Sequence, residues 1–324
     1  MQHLRQAIIA ASLLGAVATT LGACVGAGPE TGSSVDDVTA APGFYAYLEE
    51  GESFPIVDVA ATESVAYLAR MHRGVQTVDL ATMQLGERWS HDDRGDQLVV
   101  DGLQVVGESL VVWGQRNDPD WWDQQYSRPF VIKGLALDRP EVLWTVELEL
   151  APAIDSGQSI IQLPSTNAFV DGATSTLWVS FGHIDRPDRI VTFPLPAEAH
   201  ASYDFTAIAG ATELAANNPK AVVVAPEGTA YVAAGGSGLF AIAPDGREPE
   251  LVAAELGYTL DLRVDGSIAY VADHDGALHR VDVTTGELLS TEPVDDWVEG
   301  VEVTADNVLV ATRTGLLVTS PAPR

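Results

Sequence analysis

The sequence predicts an all-β, six-bladed β-propeller, and three observations predict it. Val, Ile, Leu, Thr, Tyr and Trp alternate with small or polar residues along the chain, and long helical periods are absent. A strand–turn–strand unit recurs, with Tyr231 and Tyr270 in corresponding places 39 residues apart. A period near 40 with several short strands per unit is that of propeller blades.

The unit is clearest in Gly266-Ser267-Ile268-Ala269-Tyr270-Val271-Ala272-Asp273 followed by Gly276-Ala277-Leu278-His279-Arg280-Val281-Asp282-Val283. Other copies run Ser64 to Ala69 with Gly74 to Leu80, and Gly228 to Ala233 with Gly238 to Ile242. Weaker copies pair Ser109 to Trp113 with Phe130 to Leu135, Thr176 to Ser180 with Arg189 to Phe193, and Asn307 to Ala311 with Gly315 to Val318. These make six; the long stretch from Trp113 to Trp178 leaves seven blades as the second choice. In the clearest blade the expected strands are Thr259 to Val264, Ile268 to Ala272, Ala277 to Val283 and Glu287 to Glu292. Gly74, Gly238, Gly276 and Gly315 are placed to make tight hairpins. The strand tyrosines are expected between neighbouring blades. The last copy lacks an outer strand, and the strand-like Gly43 to Leu48 is expected to supply it, closing the ring and removing two exposed edges.

Before the repeat, a short start with Arg5 leads into the uncharged apolar run Ala7 to Thr20. It is shorter than the roughly 20 apolar residues of a membrane span, and it reads as a secretory signal peptide over residues 1–23. It ends Leu21-Gly22-Ala23-Cys24, and Cys24 is the only cysteine. This resembles the lipobox of bacterial lipoproteins. The resemblance implies cleavage before Cys24 and acylation of its thiol, so that the chain is anchored to a membrane by lipid. Val25 after the cysteine lacks the aspartate that resembles an inner-membrane retention signal. The expected location is therefore the cell envelope, in the outer membrane if the host has two membranes. Residues 24–42 are rich in Gly, Ser, Thr, Pro and acids and read as the lipidated cysteine plus a flexible linker. Residues 43–324 then form the propeller domain.

The formal net charge is −29, with Lys133 and Lys220 the only lysines. Nucleic-acid binding and electrostatic docking on anionic lipid both need clustered cations, so both are excluded. The acids are spread along the chain, as on a solvated surface, and a monomer is expected.

The units Leu278-His279-Arg280-Val281-Asp282 and Val75-Gln76-Thr77-Val78-Asp79, each after a Tyr-bearing strand, resemble the LVIVD repeat of bacterial surface propellers. They are also similar to YVTN-type and quinoprotein-like propellers. The resemblance implies a cell-surface or periplasmic propeller and no particular activity.

Two candidate sites follow. Asp58 and Asp261 each stand nine residues before a strand tyrosine, Tyr67 and Tyr270, which puts both carboxylates at one height around the axis. Asn217, Asn218 and Glu299 fall near comparable positions in other blades. A ring of hard oxygen ligands of this kind could hold Ca²⁺. Asn217-Asn218-Pro219 is faintly similar to the corresponding start in gluconolactonase-like propellers. The enzymatic alternative is therefore a metal-dependent, lactonase-like hydrolase or a quinone-dependent dehydrogenase working in the channel. The second candidate is the stretch Asn117 to Tyr126, where Asp120, Trp121, Trp122, Asp123 and Tyr126 occupy what is a short turn in other copies. Adjacent Trp cannot both face one core from a strand, and aromatics among acids suit a protein or glycan partner.

Other motifs add little. Arg94-Gly95-Asp96 is a polar loop, Asp273-His274-Asp275-Gly276 reads as a turn, and Gly235 to Gly238 lacks the lysine of a phosphate loop. No histidine pair has metalloprotease spacing and no serine sits in a nucleophile elbow. The expected role is a binding or assembly scaffold.

Overall fold

The computed structural model describes residues 42–47, 55–89, 97–117, 130–149, 166–181, 189–195, 199–204, 212–213, 219–245 and 248–321. Cys24, Asn217, Asn218 and the segment 118–129 with Asp120, Trp121, Trp122, Asp123 and Tyr126 lie outside these residues.

Among the described residues there are six small sheets and no helix, so none that could cross a membrane. Strand β1 (Gly43–Ala46) belongs to the last of them. Blade 1 is β2 (Asp58–Ala61), β3 (Val65–Ala69), β4 (Val75–Asp79) and β5 (Gln84–Trp89). Blade 2 is β6 (Gln97–Val106), β7 (Ser109–Asn117), β8 (Phe130–Ala136) and β9 (Val142–Glu149). Blade 3 is β10 (Thr166–Asp171), β11 (Thr176–Phe181), β12 (Arg189–Pro194) and β14 (Thr212–Glu213); the intervening β13 (His200–Asp204) pairs elsewhere. Blade 4 is β15 (Ala221–Val224), β16 (Ala230–Ala233), β17 (Leu239–Ile242) and β18 (Glu250–Ala253). Blade 5 is β19 (Thr259–Asp265), β20 (Ile268–Asp273), β21 (Ala277–Asp282) and β22 (Leu288–Pro293). Blade 6 is β23 (Val298–Val303), β24 (Val308–Thr312), β25 (Gly315–Thr319) and β1.

The strands of each blade are lettered A to D outward from the axis. The A strands touch in the cyclic order β2, β6, β10, β15, β19, β23 and back to β2, so the ring is closed. The chain is a six-bladed propeller, and the seven-bladed alternative does not hold. Part of the long stretch that suggested a seventh blade is taken by β8 and β9, the outer strands of blade 2, seven and eight residues long.

Closure is by the expected strand. Gly43 pairs with Val318, Phe44 with Leu317, Tyr45 with Leu316 and Ala46 with Gly315. The N-terminal strand thus completes a sheet whose other strands come from the C-terminus. Gly315 permits the close approach: a Cβ there would lie 2.3 Å from the Tyr45 carbonyl oxygen.

Packing follows from the period of two along each strand. On β20, Ala269 and Val271 pack against blade 4, whereas Tyr270 and Ala272 pack against blade 6. The same division gives six apolar clusters, one at each blade-to-blade interface. Tyr67, Tyr231 and Tyr270 sit in three of them. Trp113 takes the same role between blades 2 and 3. Burying each such side chain contributes about 1.5–3 kcal/mol.

One strand is unexpected. β13 leaves the C–D connection of blade 3 and runs parallel to β9, with His200 beside Thr145 and Asp204 beside Glu149. It gives blade 2 a fifth strand and covers its outer edge.

Candidate functional site: the axis and one end of the ring

Asp58 and Asp261 occupy the same register on their A strands. Asp58 pairs across from Ala69, and Asp261 from Ala272. Each carboxylate reaches the next blade. Asp58 Oδ2 accepts from the N–H of Leu103 at 2.8 Å, and Asp261 Oδ2 accepts from the N–H of Val301 at 2.9 Å. The other oxygen of Asp58 accepts from the Val59 N–H at 2.7 Å. The two residues are therefore ties between A strands.

Between these blades the chain supplies its own cation. Arg263 Nη1 lies 3.0 Å from Asp261 Oδ1, and its Nε lies 3.3 Å from Glu302 Oε2 on blade 6. Burial works to lower the Arg263 pKa, but Asp261, Glu302 and Asp58 outweigh it and hold the guanidinium charged. Burial, and then the nearby Asp261 carboxylate, push Asp58 well above the usual carboxylate range, against the pull of Arg263 and the two N–H donors. Burial also raises Glu302, opposed chiefly by Arg263. The charge that would draw Ca²⁺ to Asp58 and Asp261 is met by a guanidinium. Among the described residues no three His, Cys, Asp or Glu side chains group as a metal site.

Glu299 does not join them. Gly300 stands across from Ala311 as Asp261 stands across from Ala272, each just after a β-bulge, so Gly300 takes the place of Asp261 and Glu299 that of Leu260. Glu299 therefore falls on the bulged residue, one position before the place that Asp58 and Asp261 occupy on their strands. A Cβ on Gly300 would meet Asp58 Oδ1 at 2.6 Å, so the ring packs tightly there.

Glu299 belongs instead to the end of the ring formed by the D–A and B–C connections. Its carboxylate lies 4.0 Å from Arg313 Nε and 3.9 Å from His274 Nδ1. Burial pushes it to about 7, with Arg313 opposing. Arg313 lies over the Trp297 ring at 3.7 Å, a cation–π distance, and the His274 ring is 4.8 Å from that of Trp297. Tyr258 continues the band at 6.3 Å from His274, and Lys220 lies over Tyr258 at 5.7 Å. Trp297 is nevertheless 46 % exposed. Every other exposed large apolar residue among those described, such as Phe44, Leu85, Leu251 and Leu289, is on the fourth strand of a blade.

The loop scaffold beneath is fixed by Asp273. Its Oδ1 accepts from the N–H groups of Tyr258 at 2.9 Å and Asp275 at 3.1 Å. Its Oδ2 is 3.3 Å from His279 Nε2, and His279 Nδ1 is 3.0 Å from Thr291 Oγ1. This chain ties strands B, C and D of blade 5 to the incoming A-strand loop. Gly257, with φ of 69°, leaves the room that Asp273 fills, since a Cβ there would sit 2.2 Å from the carboxylate. The Asp273 to Gly276 segment is a turn, as expected, and it also places His274 in the band.

The segment 118–129 lies outside the described residues; β7 ends and β8 begins at this same end of the ring. Sequence reasoning missed Trp297, Arg313 and Tyr258. Trp297 and Arg313 meet within blade 6, where β23 pairs with β24 and the Arg313 N–H donates to the Trp297 carbonyl at 3.1 Å, and the contact of blades 5 and 6 adds Tyr258.

The chain matches no protein-family model and no curated protein. Among solved structures it is similar to a chain in the crystal structure of a nidogen/laminin complex, at 12 % identity and a TM-score of 0.52, over 76 % of this chain and 84 % of that one. It is also similar to the WD40 β-propeller domain of Doa1, at 9 % identity and a TM-score of 0.50, over 87 % and 98 % of the two chains. At such identities the likeness is one of fold. The protein belongs to the β-propeller class.

Proposed function

We propose that this protein is a lipid-anchored envelope protein, tethered through Cys24, whose propeller is a scaffold that binds a protein partner at the D–A/B–C end. The observation that carries the binding role is Trp297, half-exposed at that end and held by Arg313 and His274. Preordered Trp and Arg are the residues that dominate protein interfaces, because little side-chain entropy remains to be lost on docking. Arg313 already covers one face of the indole, which suits a protein surface better than a stacked sugar ring. The net charge of −29 favours a basic partner through steering and complementarity.

Photo-crosslinking tests this. A crosslinking residue at Asp275, in the B–C turn of blade 5, is expected to yield a discrete heavier species that disappears with Trp297→Ala. The same residue at Ser267, in the A–B turn of that blade, is expected to yield none. Equal products from both positions, unaffected by Trp297→Ala, would remove the assignment.

A further inference from the structure

β1 runs antiparallel to β25, with Gly43 beside Val318 and Ala46 beside Gly315. β25 begins at the B–C turn of blade 6 and ends at Thr319, at the opposite end of the ring. The chain therefore enters blade 6 at the A–B end. It leaves at the D–A end, where the Tyr47 N–H donates to the Thr314 carbonyl at 3.0 Å. Trp297, His274 and Arg313 are at the end remote from Gly43.

Residues 25–42 separate Cys24 from Gly43. Eighteen residues reach at most about 60 Å when fully extended, a bound that leaves both orientations within reach. Sterics and charge then decide between them. A folded body cannot enter the bilayer, so poses with the attachment end towards the lipid outnumber inverted ones. The net charge of −29 gives the protein as a whole no attraction to anionic lipid that would reverse this bias.

We propose that the register of β1 orients the anchored propeller, its A–B turns towards the membrane and the Trp297–Arg313 end outward to its partner. A partner then docks without meeting the bilayer. This rests on the anchoring through Cys24 proposed above.

The test uses the full lipidated chain in phosphatidylcholine vesicles carrying a lipid-borne energy acceptor. A donor dye is placed on Ser267→Cys or on Asp275→Cys, exposed positions at the two ends of blade 5. With Cys24 acylated, the introduced thiol is the free one. Transfer to the membrane is expected to be stronger from position 267 than from 275. Lengthening the linker by 20 Gly/Ser residues after Pro42 is expected to shrink the difference. Equal or reversed transfer from protein that floats with the vesicles would overturn the orientation alone. Failure to float would overturn the anchor, and the orientation with it.

Discussion

The carboxylate of Asp58, on the innermost strand of blade 1, accepts a hydrogen bond from the N–H of Leu103 on the innermost strand of blade 2 at 2.8 Å. Asp261 repeats the relationship with Val301 between blades 5 and 6. A pattern in the sequence that suggested ligands is thus also a pattern of structural ties. Removing one partner of such a tie strands a buried N–H, at a cost of about 1–3 kcal/mol.

Asp58→Ala should therefore destabilise the fold by about 1–3 kcal/mol, read as a lower urea midpoint. Asp58→Asn should cost less, because the amide keeps one acceptor and a like charge beside Asp261 is gone. Arg263→Met should cost more, about 3–5 kcal/mol, since it leaves Asp58, Asp261 and Glu302 without their cation. An Arg263→Met protein as stable as the parent would contradict the role given to the cluster.

Ring closure depends on the close approach of β1 to β25. Gly315→Ala should push the Tyr45 carbonyl away and loosen β1. Hydrogen exchange should then speed up at the amides of β1 and at the Tyr47 N–H, with little change in blade 4. Stability should fall by about 1–3 kcal/mol. Unchanged exchange in β1 would mean that the closing strand does not bear on that glycine.

Stability should depend on pH in an unusual direction. Burial pushes Glu299 and Asp101 each to about 7, and it raises Asp58 and Glu302 as well. These groups hold protons more tightly folded than unfolded. The contribution of Glu299 and Asp101 is full below the unfolded value of about 4 and is lost as pH rises through about 7, and Asp58 and Glu302 act in the same direction. Asp79 and Asp282, held low by hydrogen bonds to Thr82 and Thr284, act in the opposite sense, and only as the pH falls below about 4. The thermal midpoint should be a few degrees higher at pH 5.5 than at pH 8, and Glu299→Gln should narrow the gap. A midpoint that climbs steadily from pH 5.5 to 8 would be the opposite of what burial predicts.

Trp297→Ala should separate binding from folding. The side chain is half-exposed, so its loss should change stability by no more than about 1 kcal/mol. Partner affinity should fall at least tenfold, the range in which an interface anchor acts. Calorimetry of the variant, beside its crosslinking yield, reads both quantities.

The blades were legible because their cause is local. The alternation and turn residues that marked Ile268 to Ala272 and Ala277 to Val283 placed β20 and β21 to within a residue. Gly43 to Leu48 could be matched to Gly315 to Val318 because a ring must close. Arg263 went unnoticed, since a charged residue within an alternating strand reads as solvent-facing; here it is buried against a neighbouring blade's acid. β13 was missed because its partner, β9, lies in the preceding blade, and no local pattern signals a parallel edge pairing. Trp297 was missed for a similar reason: its exposure depends on how Arg313 and His274 come together from two turns.

Anchoring through Cys24 is the central claim, and the intact mass of the protein extracted from membranes by detergent tests it most directly. The predicted result is the chain beginning at Cys24 plus the mass of two or three acyl chains, with Cys24→Ser appearing in the soluble fraction. A chain that keeps residues 1–23, or begins elsewhere without acyl mass, would contradict the anchor and the outward presentation built upon it.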